Sequence, residues 1–404
     1  MSEKNQEELG LFDTEYWTIT VRLQKVIGLY CFQSDQRNCI SWIYVFGFTL
    51  SFMISMGVRL INEIGFHIEI VVENIVGEMY LLVVFNKLVI SVLKRKSFKK
   101  FYAKVADHWR MIDDAEELKI MTDNMRNGRD VVKLYSIFII IGTTIFLSMP
   151  IFSPLLDYVV PLKNATRPKA LPYYAEYGVD IEEYYYPLIA QAIFGGVGTI
   201  TVLVTFDLGF MMLSHYVIGL FALAKYRLSK VNTLMRKIEE RNGNPWKSNW
   251  PIPYIVEAVN VHRQALAYVA ELEDGFNIAW FITLILNMMM FGGGMAILVL
   301  KNNPEDMFRY TMVLLASFVH FYYIFLPGQE IINASEEVFD VCCACGWYNL
   351  SEKSKLLVQF IMVRSLQYSY LTGGKMFPLS METYCNMMKT GLSGFTIMQN
   401  FMEF

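Results

Sequence analysis

A bilayer core is crossed by about 20 consecutive, mostly apolar helical residues, and seven windows of this chain meet that demand. With ends uncertain by a few residues, they cover 39–61, 68–92, 131–150, 187–213, 276–300, 310–326 and 378–402. Lipid offers backbone groups no hydrogen bonds, so segments of this kind span as helices. The expected fold is therefore all-α, a seven-transmembrane helical membrane protein. The sixth window is short and runs on into a polar helix. The second and seventh are the least apolar, carrying Glu73, Glu78, Asn86 and Lys87 in one, Glu382 and Lys389 in the other. Composition agrees: 54% of residues are apolar and 18% charged, against roughly 25% charged in soluble chains.

Orientation follows from where Lys and Arg collect, since cytosolic loops retain them. The segment before the first span has four, the first loop none, the second, counted through Lys133 at the start of the third span, eleven and the third three. The fourth has eight, the fifth two, the stretch 327–377 four and the end of the chain none. Alternate segments total 27 against 5, with Arg59, Lys87 and Lys389 inside spans. The N-terminus is expected in the cytosol and the C-terminus outside, the reverse of a G-protein-coupled receptor. The sequon Asn164-Ala165-Thr166 then falls outside, where glycosylation occurs; those at Asn333 and Asn349 fall inside.

The polar, acidic N-terminus gives no sign of a cleavable signal peptide. A net charge of -3 leaves no basic excess for a nucleic-acid partner. Lys94-Arg95-Lys96 and Lys99-Lys100 form a collar at the lipid headgroups, read first as a topology signal. Residues 214–274 alternate apolar and charged positions at helical spacing, and are expected as helices projecting below the membrane, broken by a turn at 242–246. Such projecting helices need partners, and copies of the same kind of subunit are the simplest choice. The third loop is aromatic and acidic, with Glu176, Asp180, Glu182 and Glu183. It is either a cation-concentrating rim or a solvated cap on the fourth helix.

Chemistry is not indicated. The five histidines are scattered, and no nucleophile elbow, phosphate loop or dinucleotide fingerprint occurs. Cys342, Cys343 and Cys345 read as small residues packing a helix near the membrane surface, because no second cysteine pair or nearby histidine completes a zinc site. Gly292-Gly293-Gly294 reads as a flexible or closely packed point of the fifth helix. No enzyme activity, metal or cofactor is expected.

The end of the chain carries a recognisable pattern. Trp347 is followed by Thr372-Gly373-Gly374-Lys375, Phe377-Pro378-Leu379-Ser380, Glu382-Thr383-Tyr384, Lys389-Thr390 and Phe395-Thr396. Pro327-Gly328-Gln329-Glu330 and Gly28-Leu29-Tyr30 add to it. This pattern resembles the insect odorant receptor family, with the specific motifs confined mostly to the last fifth of the chain. Gly394 departs from it, standing where the family usually has an aromatic residue. The tail of the gustatory receptors is not reproduced, and the co-receptor is longer, so the resemblance is to a tuning subunit.

The resemblance implies an odorant-gated, non-selective cation channel of four subunits, formed with an olfactory co-receptor in the plasma membrane of sensory neuron dendrites. It implies a division into a cytosolic segment 1–38, spans one to six over 39–326, cytosolic anchor helices over 327–377, and a pore-lining helix over 378–404. Thr390, Ser393, Ile397 and Asn400 share one stripe of the last helix. Ile397 is expected as a hydrophobic gate and Asn400 as the polar position after it; packing of the stripe into a core is the competing reading. A dry pocket for a small, volatile, apolar odorant is expected in the outer half of helices two to six. Its candidates are Glu78, Tyr80, Thr143, Phe146, Met149, Phe194, Met289, Phe318 and Phe321, with His320 near its base. Burying roughly 250 Å² of ligand is worth ~6 kcal/mol, and immobilisation absorbs part of it, so affinity around micromolar or weaker is expected. A gustatory-type channel and a secondary transporter are the alternatives.

Overall fold

The computed structural model describes residues 12, 14–159, 169, 171–239, 251–301 and 304–402. Asn164 and the turn at 242–246 lie outside them. Ten helices are described: α1 (Thr18–Val26), α2 (Asp35–Glu63), α3 (Ile68–Leu93), α4 (Arg95–Arg110), α5 (Ala115–Val159), α6 (Tyr185–Glu239), α7 (Ile252–Leu300), α8 (Pro304–Ala344), α9 (Glu352–Ser365) and α10 (Met381–Met402). A hairpin of two-residue strands, β1 (Thr372–Gly373) and β2 (Phe377–Pro378), precedes α10.

Six of these helices, α2, α3 and α5 to α8, are long and apolar enough to cross a membrane. The seventh window became α10, whose 22 residues span about 33 Å at 1.5 Å per residue. It falls short in apolarity because Glu382, Lys389 and the threonine-serine-asparagine stripe occupy it. The spanning helices also outrun their windows. α6 continues to Glu239 and α7 starts at Ile252, so the charged segments between the fourth and fifth spans are extensions of those helices. α8 runs through Pro327 to Ala344 without a break.

α6 is the hub. It packs against α2, α3, α5, α7 and α8, and its apolar window is the most buried of the six. Outer helices keep apolar side chains such as Ile40, Ile43, Ile61, Leu134 and Ile140 exposed, as lipid contact requires. Gly293 of α7 would place a Cβ 2.5 Å from Val76 of α3, and Gly294 one 2.9 Å from Leu314 of α8. The glycine run is thus a close-packing point within a continuous helix.

The family-like motifs have local physical reasons. Gly28 has φ +71°, and a Cβ there would sit 2.9 Å from the Asn38 backbone. This turn between α1 and α2 therefore requires glycine. In the hairpin, Gly374 has φ +65° with a virtual Cβ 2.5 Å from the Phe281 ring. The Thr372 amide donates to Glu273 at 2.7 Å, the Gly374 amide to Asn277 O at 3.0 Å, and Phe377 stacks on Phe281. The hairpin is pinned to α7 and delivers the chain to Ser380, whose hydroxyl accepts the Thr383 amide at the start of α10.

Candidate functional site

A cavity of about 360 Å³ lies among the spanning helices, within the range of small-molecule sites. α3 contributes Val76, Gly77 and Tyr80, α5 Phe138, Thr143 and Phe146, and α6 Ala192, Gly196 and Thr199. α7 adds Asn287 and Met290; α8 adds Tyr310, Val313, Ser317 and His320. Phe52 and Met56 of α2 close one side, and Tyr173 and Tyr174 of the loop before α6 cover it. The wall is overwhelmingly apolar and aromatic, which suits burial of an apolar ligand.

The loop is held in place by its own chemistry. Its Glu176 amide donates to Ser55 O at 2.9 Å, and the Glu176 carboxylate faces Arg59 at 3.4 Å. Glu73 pairs with Lys301 at 2.6 Å and with Arg309, and the Tyr174 ring lies 5.0 Å from the Lys301 ammonium. Of the acidic residues expected at a rim, Glu176 is tied to α2 while Asp180, Glu182 and Glu183 are exposed.

At the opposite end, buried polar side chains from four helices meet. The Lys87 ammonium donates to Asp207 Oδ1 at 2.6 Å, and the Tyr135 hydroxyl donates to Asp207 Oδ2 at 2.8 Å. His320 Nδ1 lies 2.8 Å from the Tyr135 oxygen and 3.4 Å from Asp207 Oδ2. Lys87 also lies over the Trp280 ring at 5.3 Å.

Of the nine residues expected to contact a ligand, Tyr80, Thr143 and Phe146 line this cavity. The other six stand elsewhere. Phe194 and Met289 are 62% and 51% exposed, turned outward from the bundle. Phe318 packs edge-on against Tyr384 of α10, and Phe321 stacks on Phe325 in the core. Met149 and Glu78 are off the cavity wall, with Glu78 beside Gly57 of α2. The wall positions are the helical neighbours Met290, Ser317 and His320. A shift of one residue turns a side chain by about 100°, and the sequence alone did not fix that rotation. Asn287, Tyr310, Arg309 and Glu73 were missed as wall residues; a polar group in an apolar window was the available signal for Asn287, Tyr310 and Glu73, whereas Arg309 falls in the loop before the sixth window.

The four expected pore residues stay together. Thr390, Ser393, Ile397 and Asn400 are all exposed along one face of α10. Tyr384, Met388 and Gly391 form the opposite face, with Gly391 against Phe291 of α7. The stripe is therefore outside the core of the single chain. Glu382 and Lys389 are also exposed, and among the described residues neither forms an ion pair. A second exposed apolar row, Leu356, Phe360 and Val363, runs along α9.

All six cysteines are free. Burial pushes the Cys31 thiol up to about 12, which keeps it protonated and inert. Among the described residues no cluster of three His, Cys, Asp or Glu side chains is arranged to hold a metal.

A family model described as the 7tm odorant receptor matches residues 71–391. Among curated proteins of Drosophila melanogaster, putative odorant receptor 92a is 23% identical over 42% of this chain and 41% of its own length. The odorant receptor coreceptor is 26% identical over 36% of this chain and 30% of its own, and odorant receptor 63a 21% over 49% and 45%. The matched stretches thus span less than half of each relative. The olfactory receptor OR5 of Machilis hrabei, solved in complex with eugenol, superposes with a TM-score of 0.75 at 11% identity, covering 95% of this chain and 96% of that one. A second structure of the same receptor gives 0.70 at 12% identity, over 97% and 98%. At such identity the match speaks for the fold.

Proposed function

The chain belongs to the 7tm odorant receptor family, and on that premise we propose that it is a receptor subunit whose cavity takes a small, volatile, apolar odorant. Binding opens a non-selective cation pore made with co-receptor subunits. The multi-pass protein sits in the plasma membrane of sensory neuron dendrites, its N-terminus cytosolic as the Lys and Arg distribution requires.

The observation that carries the reading is the pairing of an apolar cavity of about 360 Å³ with an unburied polar stripe on α10. A helix buried on its Tyr384–Met388 side and polar on the other is suited to line water, with Ile397 as the narrow dry point. The cavity and α10 share partners: α10 packs on α7 and α8, whose other residues form the cavity wall. Ligand occupancy that favours one packing of α7 and α8 then favours one position of α10. The exposed Leu356–Phe360–Val363 row supports α9 as part of a cytosolic anchor between subunits.

Co-expression with an olfactory co-receptor and a calcium-flux screen tests the proposal, with eugenol, the ligand of the structural neighbour, in the panel. Odorant-evoked current that needs both subunits is expected. Silence across a broad panel with normal surface expression would overturn it; ligand-evoked current without a co-receptor would favour the gustatory-type reading.

A further inference from the structure

The cavity is not uniformly indifferent to polar groups. His320 and Asn287 are 6% and 4% exposed, both belong to its wall, and each holds a buried nitrogen, Nε2 and Nδ2, with no hydrogen-bond partner among the described residues. An unmet polar atom in a dry site costs about 1–3 kcal/mol. His320 lies eleven residues along α8 from Arg309, about 16 Å of helix, so it marks the end remote from the Glu73 cluster.

The buried network fixes which proton His320 carries. Asp207 can only accept, and it accepts from Lys87 at 2.6 Å and from the Tyr135 hydroxyl at 2.8 Å. The single Tyr135 proton is therefore committed to Asp207. His320 Nδ1, 2.8 Å from the Tyr135 oxygen and 3.4 Å from Asp207, meets two acceptors and must bear the hydrogen. Lys87 already balances the charge of Asp207, so a second buried cation has no counter-ion and the ring is neutral. Nε2 is left as a bare lone pair, buried, on a side chain that lines the cavity.

We propose that this cavity selects ligands bearing a hydroxyl on an apolar body, with the hydroxyl proton donated to Nε2 of His320. The assignment rests on reading the cavity as the odorant site. Ethers and ketones bring a lone pair to a lone pair there. They also displace any water that would otherwise donate to Nε2, without replacing its hydrogen bond. Hydrocarbons leave the nitrogen unmet. The amide nitrogen of Asn287 offers a donor to an oxygen in the same cavity, so the hydroxyl oxygen need not be stranded. The remainder of the wall, including Val76, Phe138, Phe146 and Met290, accommodates the carbon skeleton.

The test uses full-length receptor with its co-receptor and dose–response curves for straight-chain and cyclic alcohols. Each alcohol is paired with its methyl ether and its parent alkane. In the native receptor the alcohols should be about tenfold more potent than their ethers, the value of one buried hydrogen bond. His320→Leu should bring each alcohol to the potency of its ether. His320→Gln, which can present a carbonyl oxygen near the Nε2 position, should restore most of the gap. Because each ratio is internal to one variant, poor expression cancels. Ethers as potent as alcohols in the native receptor, or a preference surviving His320→Leu, would overturn the hydroxyl assignment while leaving the receptor reading intact. No response to any alcohol, ether, alkane or other odorant overturns both.

Discussion

The side-chain oxygen of Gln329 in α8 accepts the backbone N–H of Met381 at 3.0 Å, so the sixth spanning helix caps the first free amide of α10. One residue earlier, a Cβ on Gly328 would lie 2.2 Å from the carbonyl oxygen of Leu379, so the two segments touch backbone to backbone. Losing the cap acceptor leaves an unmet donor and costs about 1 kcal/mol. Gln329→Leu should shift the gating equilibrium about fivefold, read as a changed maximal odorant-evoked current at equal surface expression. Gln329→Glu keeps the acceptor and should behave as native. Identical currents for all three would mean that the contact has no part in gating.

Lys87 and Asp207 are fully buried partners on α3 and α6. Removing one leaves an uncompensated charge, a loss of about 3–5 kcal/mol. Lys87→Met or Asp207→Leu alone should abolish the folded peak in fluorescence size-exclusion chromatography. The double variant should recover it, because Tyr135 can turn its proton to His320 and no lone charge remains. Single variants that fold as well as native would show the pair to be dispensable.

Met289 and Met290 separate the two faces of α7. Met290 is on the cavity wall, whereas Met289 is half-exposed on the outer side. Met290→Ala removes apolar contact from a bound odorant and should weaken potency about tenfold for ligands that fill the cavity. Met289→Ala should leave dose–response curves within twofold of native. The reverse ranking would place the ligand outside this cavity.

The contrast between those two methionines also marks how far the sequence could be read. The six apolar spans, the long extensions of α6 to α8 and the polar stripe of α10 rest on strong periodic or compositional signals, and the chain carries them openly. Helix rotation about its own axis does not. Met288, Met289 and Met290 are chemically equivalent, and only packing of Gly293 on Val76 and Gly294 on Leu314 decides which one faces inward. Phe318 and Phe321 show the same effect, since aromatic residues surround α8 and its cavity-lining positions include Ser317 and His320 instead. Long-range polar pairs such as Tyr135 with Asp207 were equally illegible, being 72 residues apart. The glycines of the family-like motifs were visible, but the neighbours that demand them were not.

Ile397 is 56% exposed on α10, with Ser393 and Asn400 along the same face. In a single chain an exposed isoleucine among polar neighbours has no packing to lose. Around a shared axis, several copies would present a ring of branched apolar side chains. Such a ring holds a narrow pore dry until the helices separate. Ile397→Ala shortens each side chain and should let water remain, raising basal current without odorant several-fold over native. Ile397→Leu keeps the volume and should keep the closed state quiet. Ser393→Ala, one turn away, should leave basal current unchanged while altering permeation. Planar or whole-cell recording of all three variants checks the assignment, and an Ile397→Ala channel that stays as silent as native would remove Ile397 from the gate.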